Sequence, residues 1–218
     1  MMIRNTPFRQ AMRPIAPLLL GLTLLTGCTS HIALTKSARE SIRAVSINKD
    51  VKLPDDMFYY GTEQVGAGMF GLVGALASAA AAKGPKAQLK AAMQEGQIDV
   101  AQIVREQFAT QLVESHVFSS IIPEGGEAEI RLEVRQFGFA TQFGSGGSLQ
   151  PTLGVMGSLV RTDGTVLWQQ YVLVASGDEQ TPRHILEEYV EKPQLIREAY
   201  IVAAKVASNA LVKHMRQE

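Results

Sequence analysis

The sequence predicts an α+β domain of two layers, in which a mixed, mostly antiparallel sheet carries two main helices packed on one face. Three patterns lead to this class. Residues 128–137 alternate between apolar and charged side chains, as a strand with one solvated face does. Asp163-Gly164 separates two apolar runs, which is a strong hairpin signal. Residues 98–115 and the stretch that follows Pro193 repeat apolar side chains at helical spacing.

The first half of the chain is predicted to contain one strand, one irregular stretch and one long helix. The strand is placed at 41–48, and an irregular or extended edge at 49–64, because Pro54 interrupts that stretch. The helix at 98–115 begins after Asp99, whose carboxylate suits an N-cap. A linker with helical character leads to it. Phe108 is expected to pack in the core, within an apolar stripe that consists of Val100, Ile103, Val104, Phe108 and Leu112.

The second half is predicted to supply four strands and two helices. A short helix is expected to start at Thr181-Pro182, and the final helix at Pro193. The final helix would contain about 21 residues and measure ~32 Å. Trp168 is expected to lie in the core rather than to form a ligand platform. The four strands are placed at 117–122, 128–137, 152–160 and 165–174.

The N-terminus has the three parts of an export signal. Residues 1–13 carry three arginines and no acid, and residues 14–25 carry no charge. The uncharged stretch is too short to cross ~30 Å of hydrocarbon as a helix, which takes ~20 residues. Leu25-Thr26-Gly27-Cys28 then resembles the lipobox of bacterial lipoproteins. An ordinary secretory signal followed by an unrelated cysteine is the alternative interpretation.

This resemblance implies a lipid anchor at Cys28. In lipoproteins the cysteine thiol receives diacylglycerol, the chain is cut before the cysteine, and the new amino group is acylated. Thr29 follows instead of an aspartate, which implies the outer membrane if the source is Gram-negative. The chain is therefore divided into a lipoprotein signal peptide at 1–27, a lipidated polar tether at 28–40, and a single α+β domain at 41–218.

Composition excludes several classes of function. The 218 residues contain 21 basic and 21 acidic side chains, and the signal removes three of the basic ones, so the mature net charge is −3. A slightly acidic chain lacks the broad basic field of a nucleic-acid binder. Cys28 is the only cysteine, which excludes an intramolecular disulfide and a thiolate metal cluster.

Residues 65–82 form a glycine- and alanine-rich hydrophobic insert without charge. Small residues recur there every four positions, a spacing that lets helix backbones approach closely. The insert is predicted to contact either the membrane or a second copy of the chain. The alternative is an alanine-rich helix packed on its own domain. The contact residues would be Gly66, Gly68, Gly71, Gly74 and Ser78.

No catalytic residue, metal ligand or cofactor site is predicted. The motif G-x-G-x-x-G at 66–71 lacks both the preceding strand and the later acid of a dinucleotide site. No G-x-S-x-G elbow is present. Glu187, Glu188 and Glu191 have the spacing of a solvated helix face. The histidines lack metal-ligand spacing; they are His31, His116, His184 and His214.

Two stretches resemble small envelope lipoproteins. The helix and following strand at 108–118 are similar to those of auxiliary lipoproteins of lipid-handling transporters and of the curli-secretion class. The hairpin at 159–168 is similar to theirs, whereas the insert at 65–82 departs from the transporter auxiliaries. The expected function is a non-enzymatic outer-membrane lipoprotein that acts by binding or assembly at the periplasmic face. An auxiliary transporter component is the alternative, and a hydrolase acting on the envelope is the third candidate.

Overall fold

Six strands form one mixed, open sheet in the computed structural model, which describes residues 31–61, 84–142 and 145–217. The strands follow the order β3-β1-β4-β5-β6, and β2 lies beside the second half of β4. β4, β5 and β6 are antiparallel, whereas β1 and β2 run parallel to β4. The strands are β1 Ala44–Ile47, β2 Phe58–Tyr60, β3 Ser120–Ile122, β4 Ala128–Thr141, β5 Leu149–Arg161 and β6 Val166–Val174.

Helices pack on this sheet, so the predicted α+β class is confirmed. The two longest described helices lie side by side and run in the same direction. Arg197, near the start of the last helix, donates to the carbonyls of Gly96 and Gln97 just before α3. Glu114 and Arg216, near the two C-terminal ends, line one cleft. The helices are α1 Lys36–Glu40, α2 Pro85–Glu95, α3 Val100–Ser115, α4 Leu186–Glu191 and α5 Pro193–Arg216.

Helix α3 confirms the helix expected at 98–115. The Asp99 side chain accepts a hydrogen bond from the Gln102 backbone N–H at 3.0 Å, as an N-cap does. His116 ends the helix in the left-handed conformation, with φ 54°. The buried side chains of α3 are those of the predicted stripe: Val100, Ile103, Val104, Phe108 and Leu112.

A β-bulge at Arg135 sets the two faces of β4. Val134 pairs with Val155 and Gln136 pairs with Gly154, so Arg135 is an extra residue in the ladder. Without it, the alternation would place Phe137 on the solvated face. With it, Phe137 packs against the core. The strand also continues to Thr141, beyond the end that was expected at residue 137.

The face of β4 away from the helices is charged, as the alternation predicts. Arg131 Nε lies 2.7 Å from Glu129 Oε2, and Arg135 Nε lies 3.6 Å from Glu133 Oε1. Trp168 on β6 points the other way and is fully buried, so its predicted core position is confirmed.

The expected helix start at Thr181-Pro182 is wrong, because α4 begins only at Leu186. Thr181 instead accepts a hydrogen bond from the buried side-chain amide of Gln150 on β5. Gln150 Nε2 donates to Thr181 Oγ1 at 3.0 Å and to the Asp178 carbonyl at 3.0 Å. A buried amide needs such partners, and they hold this stretch across the end of the sheet rather than in a helix.

The polar tether expected at 28–40 has to be revised from residue 32 onwards. Ile32 exchanges two backbone hydrogen bonds of 2.9 Å with Gln169 on the edge strand β6. Leu34 is fully buried, and α1 follows it. Residues 32–40 are therefore held to the domain, because the edge of β6 offers unpaired backbone groups and Leu34 fits the core.

The linker expected before α3 contains the helix α2, which begins with Pro85 at its first position.

In the part of the chain that the structure describes, no helix combines the length and apolarity that crossing a bilayer requires.

Candidate binding surface

The site residues expected from the sequence fall in two ranges outside the described residues. Cys28 lies in 1–30, and the five small residues of the insert lie in 62–83; they are Gly66, Gly68, Gly71, Gly74 and Ser78. The described residues nearest to the insert on either side are Gly61 and Gly84. Gly61 follows β2, and Gly84 precedes α2 as its N-cap residue.

An apolar pocket of about 410 Å³ lies between the segment before β2, helix α2 and the α2–α3 turn. Its volume falls within the range of small-ligand sites. Its polar rim is formed by Asp55, Lys90 and Asp99. We call it the apolar pocket; its wall is formed by Leu53, Met57, Met93, Ile98, Val100 and Phe137. The two methionines give this wall side chains that adapt to different occupants.

The α2–α3 turn that shapes this pocket is tightly held. A Cβ on Gly96 would lie 2.9 Å from the Cβ of Pro193, so glycine fits where a larger residue would collide. Gln97 has φ 49°, a conformation that few side chains adopt. Arg197 Nη2 donates to the carbonyls of both residues, at 2.9 and 3.0 Å. These contacts direct Ile98 towards the pocket.

Strand β2 adds an exposed aromatic edge to the pocket end of the domain. Phe58 is 43% exposed and Tyr60 is 42% exposed. The strand lies so close to β4 that a Cβ on Gly138 would overlap the Phe58 carbonyl oxygen. Leu53, 37% exposed, comes just before it in the chain. We call Phe58 and Tyr60 the aromatic edge. Large apolar side chains on an edge strand are typical of a surface that pairs with a partner.

Asp56 joins the segment before β2 to the start of α2. Its carboxylate accepts hydrogen bonds from the ammonium groups of Lys86 and, at 3.1 Å, Lys90. These two bonds, that of Lys86 first, lower the pKa of Asp56 to about 2. The ion pairs fix the first turns of α2 beside the pocket.

Two buried tyrosines support this end of the sheet from the helix side. The Tyr200 hydroxyl donates to the Gly138 carbonyl at 3.2 Å, and the Tyr189 hydroxyl to the Leu149 carbonyl at 3.4 Å. Burial raises the pKa of both tyrosines, so each stays a protonated donor. Phe139 packs against both rings, at centroid distances of 4.8 and 5.5 Å. These side chains form a rigid support rather than a reactive site.

The histidines have local partners in the structure. His184 Nδ1 lies 3.1 Å from Glu188 Oε2 at the start of α4. The rings of His31 and His214 lie 6.1 Å apart, a neighbourhood that sequence spacing did not predict. Within 31–61, 84–142 and 145–217, no group of three or more His, Cys, Asp or Glu side chains has a metal-binding arrangement.

Sequence reasoning missed the apolar pocket, whose walls come from three stretches of the chain: 53–57, 90–100 and Phe137. The prediction of an extended edge at 49–64 was its only early sign. The stretch Met57-Phe58-Tyr59-Tyr60 is the sequence signal for this surface. It places four large side chains between Pro54 and Gly61, in a segment that is expected to be irregular, and large side chains there indicate packing or binding.

No family model matches the sequence, and no curated protein matches it. Similar solved structures include a PelC dodecamer from Paraburkholderia phytofirmans, at 10% identity and a TM-score of 0.36, covering 81% of this chain and 88% of that one. A minor lipoprotein from Acinetobacter baumannii has 10% identity and a TM-score of 0.37, covering 79% and 94%. Lipoprotein GNA1162 from Neisseria meningitidis has 14% identity and a TM-score of 0.27, covering 76% and 98%.

Proposed function

We propose that this chain is a non-enzymatic lipoprotein of the cell envelope that acts by binding at the periplasmic face of the outer membrane. Residues 1–27 are the signal peptide, and Cys28 carries the lipid. The lipobox-like Leu25-Thr26-Gly27-Cys28 supports the anchor. The apolar pocket and the exposed side chains of the aromatic edge support binding, because a concave apolar site and large apolar side chains on an edge strand are both typical of binding surfaces.

A second copy of the chain is the partner we infer for the aromatic edge. The described residues nearest to the insert, Gly61 and Gly84, lie at this end of the domain: Gly61 directly follows β2, and Gly84 lines a cleft with Asp56. The small residues of the insert suit close backbone contact between copies. In this proposal, Gly66, Gly68, Gly71, Gly74 and Ser78 contribute to the same self-association.

Photocrosslinking in cells tests the self-association. A photoreactive amino acid replaces Phe58 in one variant and Val113 in the other, since Val113 is also exposed, at 59%, but lies on α3. The proposal expects a covalent dimer from position 58 and only background from 113. Equal dimer yields from the two positions contradict it.

The insert has its own test. Replacing Gly71 and Gly74 with Leu adds bulk where backbones are expected to touch, so crosslinked oligomers should disappear while the domain stays folded. Gly84→Leu adds the same side chain outside the small-residue repeat, where a Cβ would meet nothing within 4 Å, and serves as the control. Oligomers that persist in the Gly71/Gly74 variant contradict the proposed contact.

The lipid anchor is tested with Cys28→Ser. The variant should take up no labelled palmitate and should accumulate as uncleaved precursor, because no thiol is left to receive diacylglycerol. The Thr29→Ser variant is the matched control and should be labelled like wild type. Palmitate in the Cys28→Ser chain argues against this anchor.

Sorting is tested by membrane fractionation at native expression. With Thr29 after the cysteine, the mature protein should be recovered with the outer membrane. Thr29→Asp should move it to the inner membrane. Wild-type protein found mainly in the inner membrane contradicts the proposed location.

A second candidate function is an auxiliary lipoprotein of a lipid-handling or secretion transporter. The apolar wall of the pocket favours it, because such a wall also suits an acyl chain. A fluorescent fatty-acid analogue should then bind the wild-type protein and lose binding in Met93→Trp, which fills the pocket. Val113→Trp should leave binding unchanged.

A further inference from the structure

The first described residues are held against the edge of the folded domain. Ile32 is paired to Gln169 through two backbone hydrogen bonds, and the His31 side chain bonds that of Gln170. Leu34 follows with no exposed surface. These contacts attach the N-terminal segment to the edge strand β6 and leave it little freedom to extend away from the domain.

Only four Cα-to-Cα steps separate Cys28 from Ile32. A fully extended chain gains at most ~3.6 Å per residue, so the two Cα atoms lie no more than about 14 Å apart. This step rests on the proposed lipidation of Cys28. Acyl chains on that residue hold it at the membrane interface, and Ile32 must then lie within the same ~14 Å of the interface.

The C-terminal end of α5 occupies the same region of the domain. The His31 ring lies 6.1 Å from the His214 ring. Arg39 of α1 donates to the carbonyls of Met215 and Arg216 at 3.3 Å. The last turn of α5 is basic, with exposed Lys213 and Arg216 beside His214, while Glu114 of α3 borders it. Exposed cations next to a lipid anchor suit the phosphates of a phospholipid surface.

The apolar pocket lies at the other end of α5. Arg197 holds the carbonyls of Gly96 and Gln97 at the α2–α3 turn, and Gln97 lines the pocket. From Arg197 to Arg216 the helix rises about 28 Å, at ~1.5 Å per residue. We infer that the C-terminal end of α5 and helix α1 face a phospholipid surface, and that the apolar pocket and the aromatic edge point away from it.

Site-specific fluorescence quenching in membranes tests this orientation on the full lipoprotein. If Cys28 is lipidated, the wild-type chain has no free thiol, and an introduced cysteine is the only attachment point. Gln217→Cys places a fluorophore at the end of α5, and Glu95→Cys places one at the end of α2 beside the pocket. Both residues are exposed. Each protein is reconstituted into phosphatidylethanolamine–phosphatidylglycerol vesicles, with and without a nitroxide-headgroup phospholipid.

The orientation expects the probe at 217 to lose most of its fluorescence to the nitroxide lipid, and the probe at 95 to keep its intensity. Equal quenching of both probes means that the domain lies on its side, and no quenching of either means that it stands clear of the lipid. Both results overturn the orientation and leave the lipoprotein proposal intact. A wild-type chain that takes up the thiol reagent has no lipid on Cys28, which overturns the proposed function and this orientation with it.

Discussion

Gly157 and Trp168 form a close contact between the neighbouring strands β5 and β6 in the core. A Cβ on Gly157 would lie 2.7 Å from Cη2 and 2.8 Å from Cζ3 of the Trp168 ring. Trp168 is fully buried, and Leu211 of α5 closes the other side of Gly157. The absence of a side chain at Gly157 on β5 leaves space for the Trp168 ring of β6. The ring and Leu211 of α5 then pack together at this position of the sheet.

Gly157→Ala should therefore destabilise the domain by about 1–3 kcal/mol, because the buried ring has no space into which it can move. Urea unfolding followed by circular dichroism measures this. Trp168→Phe removes the colliding ring atoms, so adding Gly157→Ala to that variant should cost clearly less than in wild type. Purely additive effects would mean that the ring does not set the cost.

Asp56 should make stability depend on acid pH. Its folded-state pKa, about 2, lies below the ordinary 3.8, so its ion pairs stabilise the fold above about pH 4 and are lost as the pH falls towards 2. Asp56→Asn should lower the melting temperature at pH 7, and the gap to wild type should close between about pH 4 and pH 2. Asp55→Asn removes the same charge without touching Lys86 or Lys90, and a matching pH-dependent gap in that control would contradict the assignment.

Helix α3 and strand β4 show how single elements are placed between core and solvent. The apolar stripe of α3 faces the core with Phe108 at its centre, while Val113 on the same helix is 59% exposed. In β4, the bulge at Arg135 moves the later aromatic side chains to the helix side of the sheet. The first half of β4 therefore has a charged, solvent-facing side, and the second half directs Phe137 and Phe139 into the core.

Phe108→Ala should cost about 3–5 kcal/mol of the free energy of unfolding, since its side chain has no exposed surface and its removal leaves a cavity. Such a loss is a large part of a domain's total stability. The denaturant midpoint measures it. Val113→Ala on the same helix should change stability by no more than ~0.5 kcal/mol. If the two substitutions shift the midpoint equally, α3 does not present Phe108 to the core.

The described residues form one hydrophobic core. Buried side chains from the N-terminal segment, the sheet and the helices belong to a single cluster. The parallel pair α3 and α5 runs along the sheet, with the chain entry at one end and the apolar pocket at the other. The long helix α5 therefore separates the proposed anchor from the proposed binding surface.

Replacing residues 62–83 with a glycine-serine linker of equal length should leave the free energy of unfolding unchanged within ~0.5 kcal/mol, because we expect the strands and helices outside this range to supply the core. Chemical denaturation measures this. The same variant should lose the crosslinked dimer from position 58 if the insert contributes to self-association. A large loss of stability would mean that the insert belongs to the core.

The elements could be predicted from the sequence because the signals that form them are local. Asp99 caps α3, Asp163-Gly164 turns the hairpin, and Pro193 opens α5 through interactions within a few residues. The export signal and the lipobox-like motif are equally local, which is why Cys28 is an expectation that the sequence supports on its own. Local alternation also predicted which face of β4 is charged.

The tertiary structure alone decided the features that depend on distant partners. Ile32 forms backbone hydrogen bonds with Gln169, which is distant in the chain. The buried amide of Gln150 donates to Thr181, and this contact holds Thr181 outside the helix that was expected there. Backbone and buried amide groups need hydrogen-bond partners, and only the fold determines which partners are near. The bulge at Arg135 follows from packing Phe137 and Phe139 on the helix side. The apolar pocket joins three stretches that are distant in the chain, 53–57, 90–100 and Phe137. Such a concave surface has no local sequence signal, because it exists only once those stretches have packed together.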